Sequence, residues 1–280
     1  MKAVIFTIVQ LWIVLLIDAK PLNILVSRPL RYVVKPIDRN GISPENLGRA
    51  LRDDILVPGP KSNVMNRGVA YNFANKWPYG IVPYDMSPIT NSGDRDMIRN
   101  AMDWVVYDTG SPIAGSDSRA PCVYFRPREA GDETFLTIRY GQGCNAHMGY
   151  WQNFGLTMTL QKDNEANCFH SGTIKHELIH VLGFDHEQNR PDRDNYVTIN
   201  YGNIDSEWHY AFEKSTWGKT AVDLGTSYDY SSIMHYGRDY FSNNGQPTIV
   251  PKQANAPIGS SDDLSPTDIV EVRRFYGCPA

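Results

Sequence analysis

The chain has 280 residues and a formal net charge of −4, with 41% hydrophobic, 11% aromatic and 21% charged residues. These values are ordinary for a globular protein, and the length allows one large or two small domains. The acidic balance argues against nucleic acid as a partner, because binding to phosphates normally requires a clear excess of basic residues.

The first residues read as a secretory signal peptide. Lys2 supplies a positive start, residues 3–17 are almost entirely apolar, and Ala19 is a small residue suited to a cleavage site. The alternative is a membrane anchor, but the apolar run is short for the roughly 20 residues that a membrane-spanning helix needs. We therefore expect residues 1–19 to be removed and the protein to be secreted and extracellular, with no membrane anchor.

Residues 20–67 differ in composition from the rest of the chain. They contain no cysteine and little hydrophobic periodicity, and they include a loop-like stretch at 57–62. A segment of this kind cannot build a core of its own. It is either a linker or a pro-segment that depends on the domain behind it.

From about residue 76 the pattern becomes that of a folded domain. A helix is predicted at 92–108, capped by Ser92, because apolar residues recur at helical spacing from Ile98 onwards. Further elements are predicted as strands at 122–125, 134–140 and 156–160 and as a helix at 172–182.

A last helix is marked at both ends. Ser265 is its predicted cap, Pro266 its first residue and Gly277 its end. Between the last two helices, turn-forming residues dominate. Strands and helices do not alternate strictly along the chain, so the predicted fold class is α+β.

Four cysteines fit an exported protein, and they are Cys122, Cys144, Cys168 and Cys278. In an oxidising compartment two disulfides are expected, whereas buried free thiols are the alternative. Four cysteines allow three pairings, and spacing alone does not choose among them.

The segment with the candidate metal ligands begins at His176. His176 and His180 are four residues apart, so a helix places both imidazoles on one face, where they can bind a single zinc ion. His186 is the expected third ligand, since catalytic zinc has three protein ligands and one open position. It lies too far along for the same helical face, and Gly183 stands where the chain must turn back.

Glu177 follows the first histidine and is the expected catalytic base. Beside the metal it could take a proton from a zinc-bound water and later pass it to the leaving amine. The alternatives are an exposed helix charge for Glu177 and three ordinary core histidines for the ligands.

The string HELIHVLGFDHEQNRPDRDNYVTI, from His176 to Ile199, together with SIMHY at 232–236, resembles the astacin family of metzincin metallopeptidases. The resemblance covers roughly residues 76–280. It implies two lobes around a cleft, with a twisted sheet and the zinc helix in the upper lobe. The lower lobe would be irregular and end in a helix, with no growth-factor-like or CUB-like extension.

The resemblance also implies roles for particular residues. Met234, in the Met-turn, would form an apolar floor under the ligands. Tyr236 would be a hydroxyl ligand of the resting zinc that swings away to stabilise the oxyanion. The family's disulfides join the first cysteine to the last and the second to the third. Departures at 143–147 and 160–167 prevent any transfer of subsite preference.

Members of the family are made as zymogens. Trp77 and Pro78 match a landmark near the mature start, which places the cut between Arg67 and Gly68. The resemblance therefore implies a propeptide at 20–67 and a catalytic domain at 68–280. The new amino terminus would be buried near Glu187, because a buried ammonium needs an acidic partner.

The family's pro-segment blocks zinc through the aspartate of a Phe-x-Gly-Asp sequence. The nearest match here is Leu51-Arg52-Asp53-Asp54, in which Asp54 aligns but the phenylalanine and glycine do not. Asp54 is therefore the candidate zymogen switch.

The sequence thus predicts a secreted, monomeric zinc metalloendopeptidase that hydrolyses peptide bonds of protein or peptide substrates and binds its own propeptide before activation. Two other classes compete with this prediction. A catalytically inactive zinc-binding protein with a protease fold would be expected if a site residue were missing. A structural zinc domain would be expected to have a closed site with four protein ligands.

Overall fold

The computed structural model describes residues 25–29, 54–56, 76–164 and 166–279. The strands are β1 (Ile55–Leu56), β2 (Ile81–Asp85), β3 (Ser111–Pro112), β4 (Arg119–Ala120), β5 (Tyr124–Pro127), β6 (Leu136–Tyr140), β7 (Cys144–His147), β8 (Leu156–Leu160), β9 (Val197–Ile199) and β10 (Ile249–Pro251). The α-helices are α1 (Ser92–Thr109), α2 (Ser171–Val181) and α3 (Pro266–Tyr276). Short 3-10 helices are Pro78–Gly80, Glu187–Asn189, Arg193–Asn195, Tyr201–Asn203 and Ser206–Phe212. The predicted signal peptide and the Arg67–Gly68 cut lie outside these residues.

A six-stranded mixed sheet organises the first part of the domain. Its strand order is β1-β7-β8-β6-β2-β5, and all neighbours are parallel except the antiparallel pair β7 and β8. Helices α1 and α2 pack with the sheet around the larger hydrophobic core, in which Ile98, Ile138, Met158 and Leu178 are fully buried. Packing against this core holds α2 in place. The helix is therefore a rigid support for those of its side chains that point away from the core.

A second, smaller core lies in the part of the chain after Gly183. Phe212 and Ile249 are fully buried there, beside the two-stranded antiparallel sheet of β9 and β10. Helix α3 then returns to the larger core, where Val272 and Phe275 are buried. The predicted α+β fold, with an irregular second part ending in a helix, is confirmed.

The ends of the helices test the predicted caps. For α3 the prediction is confirmed: Ser265 forms a capping box with Asp268, Pro266 is the first residue, and Gly277 is left-handed with φ 75°. For α1 the prediction of Ser92 as cap is wrong. The cap is the preceding residue, Asn91, whose extended backbone lets its side chain accept from the Asp94 amide.

Several strand predictions were displaced or missed. The run predicted at 122–125 forms a strand at Tyr124–Pro127, because Tyr124 is the residue that pairs with Ile81 of β2. The sequence does not predict the strands Ile81–Asp85 and Cys144–His147. The first contains Pro83, a residue that is unfavourable in strands, and the second is only four residues long.

Two disulfides connect distant parts of the domain. Cys122 is bonded to Cys278, and Cys144 to Cys168, with 5.7 Å between the Cα atoms of each pair. The first disulfide ties the start of β5 to the end of α3, and the second ties β7 to the segment before α2. This is the pairing that the family resemblance implies. Among the described residues, no helix is long and apolar enough to cross a bilayer.

Candidate metal centre

Helix α2 and the turn after it bring three histidines together. His176 and His180 lie one turn apart, with ring centroids 4.6 Å from each other. The helix ends at Val181, and Gly183 takes φ 105°, a conformation that glycine adopts without steric cost. The chain then turns back and places the His186 ring 5.3 Å and 4.7 Å from the other two. All three predicted ligands therefore meet at one point.

Hydrogen bonds to the backbone orient two of these rings. The Nδ1–H of His176 donates to the Ile233 carbonyl at 2.8 Å, and that of His180 donates to the Phe184 carbonyl at 2.7 Å. A donor at Nδ1 leaves Nε2 unprotonated and free to bind a metal. The Nε2 atoms of His176 and His186 are 3.3 Å apart. Tetrahedral zinc ligands at 2.0–2.1 Å from the ion are themselves about 3.3 Å apart, so the spacing fits zinc.

The fourth member of the cluster is Asp54, from the segment that precedes the domain. Its Oδ2 atom lies 2.9, 3.4 and 3.8 Å from the Nε2 atoms of His186, His176 and His180. Burial alone would raise the pKa of Asp54, but its electrostatic interaction with His186 and the neighbouring imidazoles of His176 and His180 hold it well below its usual range. Asp54 is thus an ionised ligand candidate.

The chemistry of this donor set fits one divalent metal ion. Three imidazole nitrogens and one carboxylate oxygen lie within 4.8 Å of one another. Burial lowers the pKa of His180 to about 4, so its ring is neutral near pH 7, as a metal ligand must be. The buried Nε2 of His180 makes no hydrogen bond within the described parts of the chain. A bound metal would supply the partner that this atom lacks.

Glu177 follows His176 on helix α2 and is buried there. It is almost fully buried, and neither carboxylate oxygen has a hydrogen-bond partner among the described residues. Burial, reinforced by the negative charge of Asp54, raises its pKa well above the usual range. A buried carboxyl group without a partner destabilises the fold. Such groups are typical of functional sites.

The segment at 232–236 packs beneath the cluster. Tyr236 is buried, and its ring centroid lies 4.3 Å from that of His186. Its amide donates to Gln188 at 3.1 Å. Met234 is buried as well, and its carbonyl accepts from the Glu187 amide at 3.1 Å. The structure therefore places both predicted residues next to the ligands.

Asp268 is a site residue that sequence reasoning missed. Beyond its part in the cap of α3, its carboxylate accepts from Ser232 Oγ at 2.6 Å and from the Ile233 amide at 3.0 Å. Ile233 is the residue whose carbonyl orients His176. The Ser-x-x-Asp spacing at 265–268 signals a helix cap, whereas nothing in it signals a contact with residues 35 positions earlier.

Glu187 lies in a buried polar cluster. It accepts from the Asp229 amide at 2.7 Å and lies 3.6 Å from the Arg190 guanidinium. Burial, with Glu271 nearby, raises its pKa well above the usual range. The chain start predicted at Gly68 lies outside the described residues.

The segment at 54–56 also covers one edge of the sheet. Strand β1 runs parallel to β7, where the Ala146 amide donates to the Asp54 carbonyl at 2.8 Å and the Met148 amide donates to the Leu56 carbonyl at 3.0 Å. The segment at 54–56 therefore contributes Asp54 to the metal cluster and also pairs with the edge of the sheet beside it.

Three convergent imidazoles with an adjacent buried glutamate are typical of metal-dependent peptidases. Comparison with known proteins agrees with this class. The family model described as Astacin, a peptidase family, matches residues 69–277. The chain therefore belongs to the astacin family, whose members use a catalytic zinc.

Individual relatives are similar over most of the chain. Zinc metalloproteinase nas-15 of Caenorhabditis elegans is 38% identical over 203 residues, which are 72% of this chain and 32% of that protein. Low choriolytic enzyme of Oryzias latipes is 36% identical over 234 residues, 81% of this chain and 78% of that enzyme. The chain spans about a third of nas-15 and of Blastula protease 10 of Paracentrotus lividus.

A solved structure supports the fold. High choriolytic enzyme 1, a hatching enzyme zinc-protease from the medaka Oryzias latipes, superposes with a TM-score of 0.64 at 32% sequence identity. The match covers 76% of this chain and all of that one.

Proposed function

We propose that this chain is a secreted zinc endopeptidase that is made as a zymogen. Residues 1–19 would be the signal peptide, 20–67 the propeptide and 68–280 the catalytic domain. One observation carries the proposal: three histidines face a common point, and Asp54 of the pro-segment lies at that same point.

His176, His180 and His186 would hold the zinc ion. When bound there, zinc lowers the pKa of water and polarises the carbonyl of the scissile peptide bond. The Ile233 and Phe184 carbonyls hold two of the rings in the orientation and tautomer that binding requires.

Glu177 would move the proton. Burial raises its pKa, which makes its carboxylate a stronger base. Its carboxylate would take a proton from the attacking water and deliver it to the nitrogen of the leaving amine. Tyr236, buried against His186, would donate its phenolic hydrogen bond to the developing oxyanion.

The substrate would be an extended peptide bound beside β7. Amides of Ala146 and Met148 now donate to β1, and they become available to another backbone when β1 leaves. Because β1 and a substrate strand need the same donors, they exclude each other.

Asp54 would keep the precursor inactive. Its carboxylate takes the fourth position of a three-histidine site, where catalysis requires water. Cleavage between Arg67 and Gly68 would release the pro-segment, and the new amino terminus would pair with Glu187. Sequencing the amino terminus of the active form tests this assignment, and any start well away from Gly68 defeats it.

The decisive experiment separates metal binding from catalysis. Glu177→Gln in the activated protein should retain one equivalent of zinc but lose nearly all cleavage of a peptide library. Glu129→Gln, at an exposed position, is the matched control and should retain full activity. Substantial turnover by Glu177→Gln removes Glu177 from the role of base, and an inactive control protein with bound zinc would favour a dead protease fold.

A further inference from the structure

A second part of the segment before the catalytic domain also contacts it, away from Asp54 in sequence. The Val26 amide donates to the Arg119 carbonyl at 3.0 Å, and the Arg119 amide donates to the Val26 carbonyl at 2.9 Å. This is a closed antiparallel pair. Arg119 belongs to β4, whose other neighbour is β3. Val26 therefore adds a single-residue β-bridge to the free edge of a two-stranded sheet.

Side chains strengthen this contact. Val26 is partly buried and packs against the larger hydrophobic core. The Arg28 guanidinium lies 5.9 Å from the centre of the Trp104 ring on α1, within the range of a cation–π interaction. The positive charge of Arg28 also acts to lower the pKa of Asp108, which burial raises. The contact thus combines backbone, apolar and charged components.

The receiving edge is held in place by the domain itself. The Arg119 guanidinium donates to the Tyr107 and Asp108 carbonyls at the end of α1, at 3.3 Å and 3.1 Å, and lies 4.5 Å from the centre of the Tyr107 ring. A side-chain carbon at Gly110 would come within 2.9 Å of the Arg119 Cβ. The edge of β4 is therefore rigid, so a strand that pairs with it does not have to order it.

We propose that the surface formed by Arg119, Trp104 and Asp108 is a second docking site for the pro-segment, which anchors residues 25–29 and thereby keeps Asp54 in the metal centre. This rests on the proposed function of Asp54. The two contacts are joined by residues 30–53, and a linked second contact acts at an effective concentration of about millimolar. Strand β1 has only two residues, so its own pairing is weak.

The test uses the full chain after signal removal, with Arg67→Ala in every variant so that the pro-segment stays attached. Val26→Pro removes the amide that donates to Arg119, and Arg28→Ala removes the cation. The matched control is Ser27→Pro, at an exposed neighbour of the bridge. Two quantities are measured: hydrogen exchange of the Arg119 amide, and cleavage of a short fluorogenic peptide by the uncleaved protein.

Val26→Pro with Arg28→Ala should speed exchange of the Arg119 amide and raise cleavage about tenfold over Ser27→Pro, because the lost hydrogen bond from residue 26 is worth roughly two- to tenfold and the lost Arg28 cation adds to it. Equal exchange in the two proteins overturns the docking site. Faster exchange without increased cleavage overturns its part in inhibition. Asp54→Ala separates the two proposals: if it does not raise cleavage, the switch role of Asp54 fails, while the exchange result still decides the docking site.

Discussion

Removal of the Asp268 carboxylate should weaken both the fold and the metal centre. Asp268 accepts from Ser232 Oγ at 2.6 Å, from the Ile233 amide at 3.0 Å and from the Ser265 amide at 2.8 Å. It is 5% exposed, so water does not replace these bonds when the carboxylate is removed. The Ile233 carbonyl, one peptide unit away, orients His176.

The cost follows from these contacts. Each buried donor left without an acceptor costs about 1–2 kcal/mol. With three donors affected, Asp268→Ala should lower the free energy of unfolding by about 3–6 kcal/mol. Asp268→Asn keeps one acceptor oxygen, so it should cost about half as much. Loss of support for a metal-binding histidine typically weakens metal affinity about 10- to 100-fold.

Two measurements on the full chain check this. Urea denaturation gives the free energy of unfolding, and competition with a chelator gives the zinc dissociation constant. Asp117→Ala, at an exposed position, should change neither quantity. An unchanged zinc affinity in a clearly destabilised Asp268→Ala protein would refute the coupling through Ile233. A free energy of unfolding within about 0.5 kcal/mol of the parent value would refute the whole argument.

Three further effects should be measurable. Burial, with nearby carboxylates, raises the pKa of Glu271 from 4.5 to about 7; the folded state therefore holds the proton more tightly, and stability is lost as pH rises from about 4.5 to 7. In urea denaturation, the free energy of unfolding of Glu271→Gln relative to that of the parent should therefore rise by about 3 kcal/mol between pH 4.5 and 8. A difference that does not change with pH would contradict this. Replacing Cys144 and Cys168 by serine opens a loop of sequence separation 24, which should cost about 3 kcal/mol, measured against the parent under oxidising conditions. Asn91→Ala should cost about 1 kcal/mol, since it removes the cap of α1, whereas Ser92→Ala should cost far less in the same assay.

Local patterns in the sequence predicted the parts of the site that local geometry determines. The i, i+4 spacing of His176 and His180 and the glycine at 183 were sufficient for the helix and the return of His186, because each depends on a few neighbouring residues. The ends of α3 were predicted for the same reason. Composition also predicts that residues 20–67 stand apart from the domain, and this boundary lies outside the described residues. The switch role expected of Asp54 stays a prediction, because it depends on a motif that matches only in part.

Contacts between distant residues could not be predicted in this way. The bond from Ile233 to Asp268 spans 35 positions, and the bridge from Val26 to Arg119 joins a segment without periodicity to a two-residue strand. A two-residue strand such as β1 carries no alternation that could fix its register, so its parallel pairing with β7 depends on the edge that the folded domain offers.

The position of Asp54 explains how a weak strand could inhibit firmly and still be removed by one cut. While the chain is intact, the pairing of β1 and the bridge at Val26 are intramolecular, so each raises the local concentration of the other segment. In the proposed zymogen, a cut at Arg67 would remove the connection on the carboxyl side of Asp54. The pro-segment would then bind as a separate molecule at about micromolar or lower concentration, against an effective concentration of about millimolar before the cut. The roughly thousandfold difference favours release without any change in the contacts themselves, and an extended substrate can then use the amides of Ala146 and Met148.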